Sequence, residues 1–184
     1  PGYFNRDIQA ERISRLALEC QAPLLGGGLH WESNEELYNS AYFLQKDGSM
    51  GQRYDKLRLV PFGEYVPFKS FLSGLKPVAD ALGISDFSAG KNLVLFRWAR
   101  ENWPFGVLIC FEDVFTDLAR QLADRDAKFL TVITNDAWFG QTGAPYQHLQ
   151  ASIFRAVENG LAVVRSANTG VSAFISLRGR VLAT

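Results

Sequence analysis

The sequence predicts an α/β sandwich built on a mixed β-sheet, and three observations carry that prediction. Short apolar runs that suit strands alternate with segments of helical periodicity. Two of the runs, residues 105–109 and 129–134, lack polar alternation, as expected of strands buried on both faces of a parallel sheet. Hairpin signals interrupt the alternation and make the sheet mixed. The 184 residues suit one domain, and 47% of them are apolar, enough to build a substantial core.

Asn5 or Asp7 caps a first helix whose apolar face runs through Ile8, Ile13, Leu16, Ala17 and Cys20, which makes Cys20 a packing residue. Pro23 ends it. Leu24-Leu25-Gly26-Gly27-Gly28 reads as a strand entering a tight backbone passage, where glycines allow close approach. The spacing of a phosphate-cradling fingerprint is absent. Residues 38–44 and 50–54 flank the turn Lys46-Asp47-Gly48 as a hairpin. The second strand leads to Asp55-Lys56. The prolines and glycine of residues 59–67 then demand a shaped loop.

Residues 68–91 form a long connection rich in apolar side chains, among them Phe68, Phe71, Leu72 and Leu75, with helical turns expected around Val78 to Leu82. Such a segment either caps the core or forms a lid or apolar ligand surface. Residues 93–98 turn through Glu101-Asn102 into the strand that ends at Cys110. A helix follows with Val114, Phe115, Leu118 and Leu122 on its apolar face. The strand 129–134 ends in Asn135-Asp136-Ala137-Trp138-Phe139-Gly140. Pro145 opens a further helix and Gly160 closes it. Two strands, 161–167 and 171–177, turn through Asn168-Thr169-Gly170, and the chain stops within a strand-like pattern.

Composition excludes several function classes. Nineteen acidic and nineteen basic residues balance, so there is no electrostatic footprint for nucleic acid and no polybasic block for anionic lipid. No stretch approaches the roughly 20 apolar residues of a membrane helix, and Pro1 to Asp7 do not resemble a signal peptide. Two cysteines and two distant histidines make neither a disulfide framework nor a zinc site. No cofactor and no metal are expected.

Cys110 is the residue with chemical promise. It ends a buried strand, on the rim where ligands bind in open α/β sheets. Cysteine also serves as a small buried hydrophobe, so placement alone leaves both readings open. As a nucleophile it needs a base or a cation, because a free thiol of pKa about 8.5 is only a few per cent thiolate at neutral pH. Neither His30 nor His148 lies in a cysteine–histidine signature. Lys56, Glu64 and Glu112 each sit at or beside a strand end on the same rim. A lysine there would stabilise thiolate and oxyanion, and a carboxylate would move the proton. Together they suggest covalent acyl transfer through a thioester; ordinary solvated charge is the plainer alternative for each alone.

These residues also carry a resemblance. Tyr54-Asp55-Lys56 leading into Leu59-Val60-Pro61-Phe62-Gly63-Glu64-Tyr65-Val66-Pro67, then Ile109-Cys110-Phe111-Glu112, Thr134-Asn135-Asp136-Ala137-Trp138-Phe139-Gly140, Gln147-His148, Arg155-Ala156-Val157-Glu158-Asn159 and residues 165–172 are similar to the apolipoprotein N-acyltransferase branch of the nitrilase (carbon-nitrogen hydrolase) superfamily. The match covers most of residues 54–184. It implies one nitrilase-like αββα sandwich domain over residues 1–184, incomplete at both ends and without a transmembrane domain. The family uses a Glu-Lys-Cys triad, so the resemblance makes Cys110 the nucleophile and Lys56 the triad lysine. Glu64 matches a further active-site glutamate, and Glu112 matches one beside the nucleophile.

The implied reaction moves an acyl chain from a phospholipid donor to Cys110, then to the α-amino group of the diacylglyceryl-cysteine that begins an apolipoprotein. Ping-pong kinetics follow. The implied location is the periplasmic face of the bacterial inner membrane, with residues 68–91 as greasy segments beside the pocket and the family's membrane helices missing from this stretch. The family's triad glutamate lies upstream, before a segment like Pro1-Gly2-Tyr3-Phe4, and neither Glu11 nor Glu19 fills its place. The 184 residues alone are therefore expected to be inactive, with open sheet edges. Two other functions compete: a nitrilase-type amidase acting on small amides, and a non-catalytic module that binds lipid or lipoprotein.

Overall fold

The computed structural model describes residues 8–32, 36–67, 86–98 and 103–184. The cap at Asn5 or Asp7, the helical turns around Val78 to Leu82, the apolar side chains at 68–75 and the turn at Glu101-Asn102 lie outside them. Helix α1 (Ile8–Cys20) leads into β1 (Leu24–Trp31), β2 (Leu37–Leu44) and β3 (Met50–Asp55), which pair in that order as an antiparallel sheet. The second sheet holds β4 (Leu95–Trp98), β5 (Trp103–Ile109), β6 (Phe129–Asn135), β7 (Ala162–Asn168), β8 (Ala173–Ile175) and β9 (Val181–Ala183), also in chain order. Its centre, β5-β6-β7, is parallel and its flanking pairs are antiparallel. The predicted mixed sheet is thus this six-stranded one.

Parallel neighbours need crossovers, and two helices supply them: α2 (Thr116–Asp124) between β5 and β6, and α3 (Ala144–Asn159) between β6 and β7. Alternation along β2 sorts the layers. Tyr42 and Leu44 face Ala10 and Ile13 of α1, whereas Ala41 and Phe43 belong to the main core. Phe43 meets Phe105 edge to face at 5.3 Å between ring centroids, which fastens one sheet to the other. Gly27 marks the same close approach, because a Cβ there would stand 3.2 Å from Ile133 Cδ1 in the facing sheet. Leu118, Ala119 and Leu122 of α2 and Leu149 and Ala156 of α3 close the core's other side. The layers run helix, sheet, sheet, helices.

Two details of the expected elements change. The glycines at 26–28 lie inside β1, which continues to Trp31. Cys20 is exposed and so is not a packing residue. Of α1's apolar face, Ala17 is fully buried while Leu16 is 47% exposed, because the sheet beneath is three strands wide among the described residues and covers one narrow stripe.

Candidate active site

Strand β5 is buried almost throughout and delivers Cys110 to its end. The chain then turns at once into a 3₁₀ turn, Cys110–Val114, before α2 begins at Thr116. Ile109 is still extended, with φ −100° and ψ 112°, but Cys110 has φ +53°. That left-handed conformation costs a residue with a Cβ about 1–2 kcal/mol. Cys110 is half-buried on this strained corner.

Lys56 follows β3 directly and is 1% exposed. Its backbone is held on both sides, the amide donating to Asn39 O and the carbonyl accepting from Gly90 N, each at 2.8 Å. The loop beyond it folds back on itself: Phe62 N–H donates to Tyr65 O at 2.8 Å, and Phe62 takes φ +61°. This reversal sets Glu64 onto Lys56. Lys56 Nζ donates to Glu64 Oε2 at 2.7 Å, Val60 N–H reaches the same oxygen at 2.8 Å, and Asn39 Nδ2 donates to Oε1 at 2.9 Å. The lysine charge is buried and answered.

Glu112 is completely buried and joins these two halves. Its Oε1 accepts from the Tyr54 hydroxyl at 2.8 Å and from the amides of Leu57 and Arg58 at 2.7 and 3.1 Å. Its Oε2 accepts from Ile109 N–H at 2.8 Å. One carboxylate therefore ties the residues after Lys56 to the residue before Cys110. Burial raises the Glu112 pKa, against the pull of hydrogen bonds from Ile109, Arg58, Tyr54 and Leu57. Tyr54 is likewise raised, by burial first and then by the charge of Glu112.

Sequence reasoning missed a second polar cluster on the far side of the Cys110 turn. Asp113, Asp136, His148, Ser152 and Arg165 are all buried. Arg165 reaches Asp113 Oδ2 through Nη1 and Asp136 Oδ2 through Nη2, both at 3.0 Å, and Ser152 Oγ donates to Asp113 Oδ2 at 2.6 Å. Arg155, from α3, donates to the carbonyls of Asp113 and Val114 at 3.2 and 2.9 Å, which holds the turn's last peptides. One signal was available: Arg165 interrupts an apolar strand, and a buried arginine requires acidic partners. His148 belongs to this cluster. His30 lies elsewhere, against Tyr42, Glu32 and Arg53. Among the described residues, no group of three or more His, Cys, Asp or Glu is disposed to hold a metal ion.

The geometry thus offers a thiol on a strained strand end, a buried ammonium held by a carboxylate, and rigid backbone between them. The carbon-nitrogen hydrolase family model matches residues 8–184. An apolipoprotein N-acyltransferase from Geobacter metallireducens is 40% identical over 185 residues, which is 98% of this chain but only 35% of that protein's length. Among solved structures, Saccharomyces cerevisiae Nit3, a member of branch 10 of the nitrilase superfamily, superposes with a TM-score of 0.71 at 18% identity over 95% of this chain and 59% of its own. A mutant amidase from Nesterenkonia sp. AN1, carrying the acetamide moiety of fluoroacetamide on its active-site cysteine, gives 0.69 at 20% identity over 94% and 60%. At these identities the structural likeness concerns the αββα fold.

Proposed function

Because the chain belongs to the carbon-nitrogen hydrolase family, we propose that it carries the nucleophile of a cysteine-dependent acyl transferase, with phospholipid as donor and the amino terminus of a diacylglyceryl-lipoprotein as acceptor. The observation that carries the reading is the linkage of Cys110, through Ile109 and Glu112, to the peptide that follows a buried Lys56–Glu64 pair. The lipid specificity rests on the relative's name.

In the first half-reaction, the Cys110 thiolate attacks the donor's ester carbonyl. Lys56 faces the thiolate and the developing oxyanion as the electrostatic partner, an effect worth about 2.7–4 kcal/mol for a single donor. Glu64 holds the Lys56 ammonium in place through the 2.7 Å hydrogen bond. Collapse of the tetrahedral intermediate breaks the ester C–O bond, leaves a thioester, and releases the lysophospholipid as an alcohol whose oxygen takes up the proton that the Cys110 thiol gave up on forming the thiolate. In the second half-reaction the lipoprotein's neutral α-amino group attacks the thioester, the C–S bond breaks as the amide forms, and the proton lost by the amine returns to the departing sulfur to restore the Cys110 thiol. Glu112 does not exchange protons with substrate in this scheme; it fixes the two backbone segments. The site works at the periplasmic face of the bacterial inner membrane.

Intact-mass spectrometry of the full-length protein after incubation with phospholipid in detergent tests this directly. A gain of one acyl chain, reversed by hydroxylamine and absent from Cys110→Ala, is the expected result. No adduct on a folded, lipid-exposed protein overturns the phospholipid donor. Hydrolysis of a simple amide under those conditions would move the assignment to an amidase.

A further inference from the structure

His148 sits where a second proton on its ring has a structural purpose. Its Nε2 lies 2.9 Å from Asp113 Oδ1 and its Nδ1 lies 2.9 Å from Asp136 Oδ1. A neutral imidazole donates from one nitrogen only, so one carboxylate would face a lone pair at hydrogen-bond distance. The rival arrangement has Nδ1 accept from Arg165 Nη2, also 2.9 Å away. It leaves that same lone pair against Asp136 Oδ1. Charge decides between them. Two buried carboxylates face the buried Arg165 guanidinium, while Arg155 nearby is paired with Glu158; an imidazolium brings the sum to zero, whereas a neutral ring leaves one uncompensated negative charge in a dry site.

The groups facing the ring come from four elements. Asp113 belongs to the Cys110 turn, Asp136 to the turn Asp136–Phe139 after β6, Arg165 to β7, and Ser152 lies one helical turn along α3. Thr134 Oγ1 supports Asp136 Oδ1 at 2.8 Å, and the Phe139 ring stands edge-on to the imidazole at 5.9 Å. Burial alone would lower the pKa of His148. The hydrogen bond and charge of Asp113, joined by the hydrogen bond to Asp136, outweigh burial and the repulsion of Arg165, and the net direction is upward.

We propose that His148 is a positioning residue for Cys110: doubly protonated between Asp113 and Asp136, it locks the turn that carries the nucleophile to the neighbouring rim turn. Glu112 grips the strained turn from the β3 side and the His148 bracket grips it from the α3 side. The inference rests on Cys110 being the nucleophile, and its effect is on the rate of the chemical step rather than on substrate affinity.

The test uses the full-length protein in detergent and separates the bracket from the lipid chemistry. Hydrogen–deuterium exchange at histidine C2, followed by peptide mass spectrometry across pH, reads each ring in the wild type. His148 should titrate above 6.5 and His30, whose pKa is lowered by burial and by Arg53, below it. The reverse order overturns the proposal, whether or not any acyl adduct forms. For the positioning role, His148→Gln should lower kcat about tenfold or more with KM little changed. The double variant Asp136→Asn with His148→Gln, which restores neutrality, should recover most of that loss. A His148→Gln enzyme with wild-type kcat, or a double variant no better than the single, overturns it. If the wild type forms no adduct, alkylation of Cys110 by iodoacetamide, normalised to exposed Cys20, replaces kcat as the readout. Equal normalised rates in all three proteins then count against the bracket.

Discussion

Replacing Glu64 with glutamine removes a charge from the site while keeping its shape. Lys56 and Glu64 have side chains only 1% and 11% exposed, so water cannot take over the lost counter-charge. The glutamine carbonyl can still accept from Lys56 Nζ and Val60 N–H, which now donate at 2.7 and 2.8 Å. Its amide then points at Asn39, whose side chain can turn its own oxygen inward in place of the nitrogen that donates at 2.9 Å. Hydrogen bonds are conserved, and what disappears is the pairing of a buried cation. Breaking a buried pair by removing one partner costs about 3–5 kcal/mol. Retention of the hydrogen bonds puts this case near the lower end, about 3 kcal/mol. For a domain of about 150–250 residues, each kcal/mol moves Tm by about 2–4 °C, so a fall of about 6–12 °C is expected. Urea unfolding should show a lower midpoint at unchanged slope. Lys56→Met combined with Glu64→Gln leaves no charge unpaired and should recover at least half the loss. A drop below about 2 °C in the single variant, or a double variant less stable than either single, would refute the claim that Lys56 depends on Glu64.

Three further outcomes follow from the same geometry. Cys110→Gly should be more stable than Cys110→Ala by about 1 kcal/mol in urea unfolding, because glycine takes φ +53° without a Cβ penalty and alanine does not; equal stability would mean the turn is unstrained. Gly170→Ala, with φ +90° and a Cβ that would stand 2.6 Å from Asp136 Oδ2, should lose about 2 kcal/mol or more, read as a lower Tm, since both backbone and bracket must shift. The stabilisation from His148, whose folded pKa is raised above the unfolded 6.5, is fully present below that value and lost as pH rises through the folded one. The wild-type urea midpoint should therefore decline over that window more steeply than that of His148→Gln.

The elements were legible because their signals are local. Unbroken apolar runs gave β5 and β6, Lys46-Asp47-Gly48 gave the turn between β2 and β3, and Pro145 and Gly160 bounded α3. Lys56, Glu64, Cys110 and Glu112 could be gathered onto one rim by strand ends and by resemblance. Their partners could not, because Glu112 bonds to residues 54, 55 and 58 positions away in sequence, and no pattern along the chain measures such a distance. The αββα resemblance implied two sheets, but which strands belong to which was hidden for the same reason: a hairpin signal fixes a pair of strands, not the sheet they join. Cys20 was misread because helical periodicity reports which face is apolar and not how far the sheet beneath extends.

The Cys110 turn is held mostly by long-range supports. A left-handed cysteine is disfavoured by its own backbone, and the one local support, Ile109 N–H to Glu112 Oε2, acts through a carboxylate that distant residues hold. The opposing free energy comes from a carboxylate with four donors on one side and from Arg155 and the Asp113 cluster on the other. Charged and polar residues inside a protein core are expensive, and here they converge on the same five-residue turn from both directions. If the turn only packed the core, apolar side chains would hold it at lower cost. The use of buried acids, arginines and a histidine instead is the structural argument that the orientation of Cys110, and not merely its burial, is what these residues maintain.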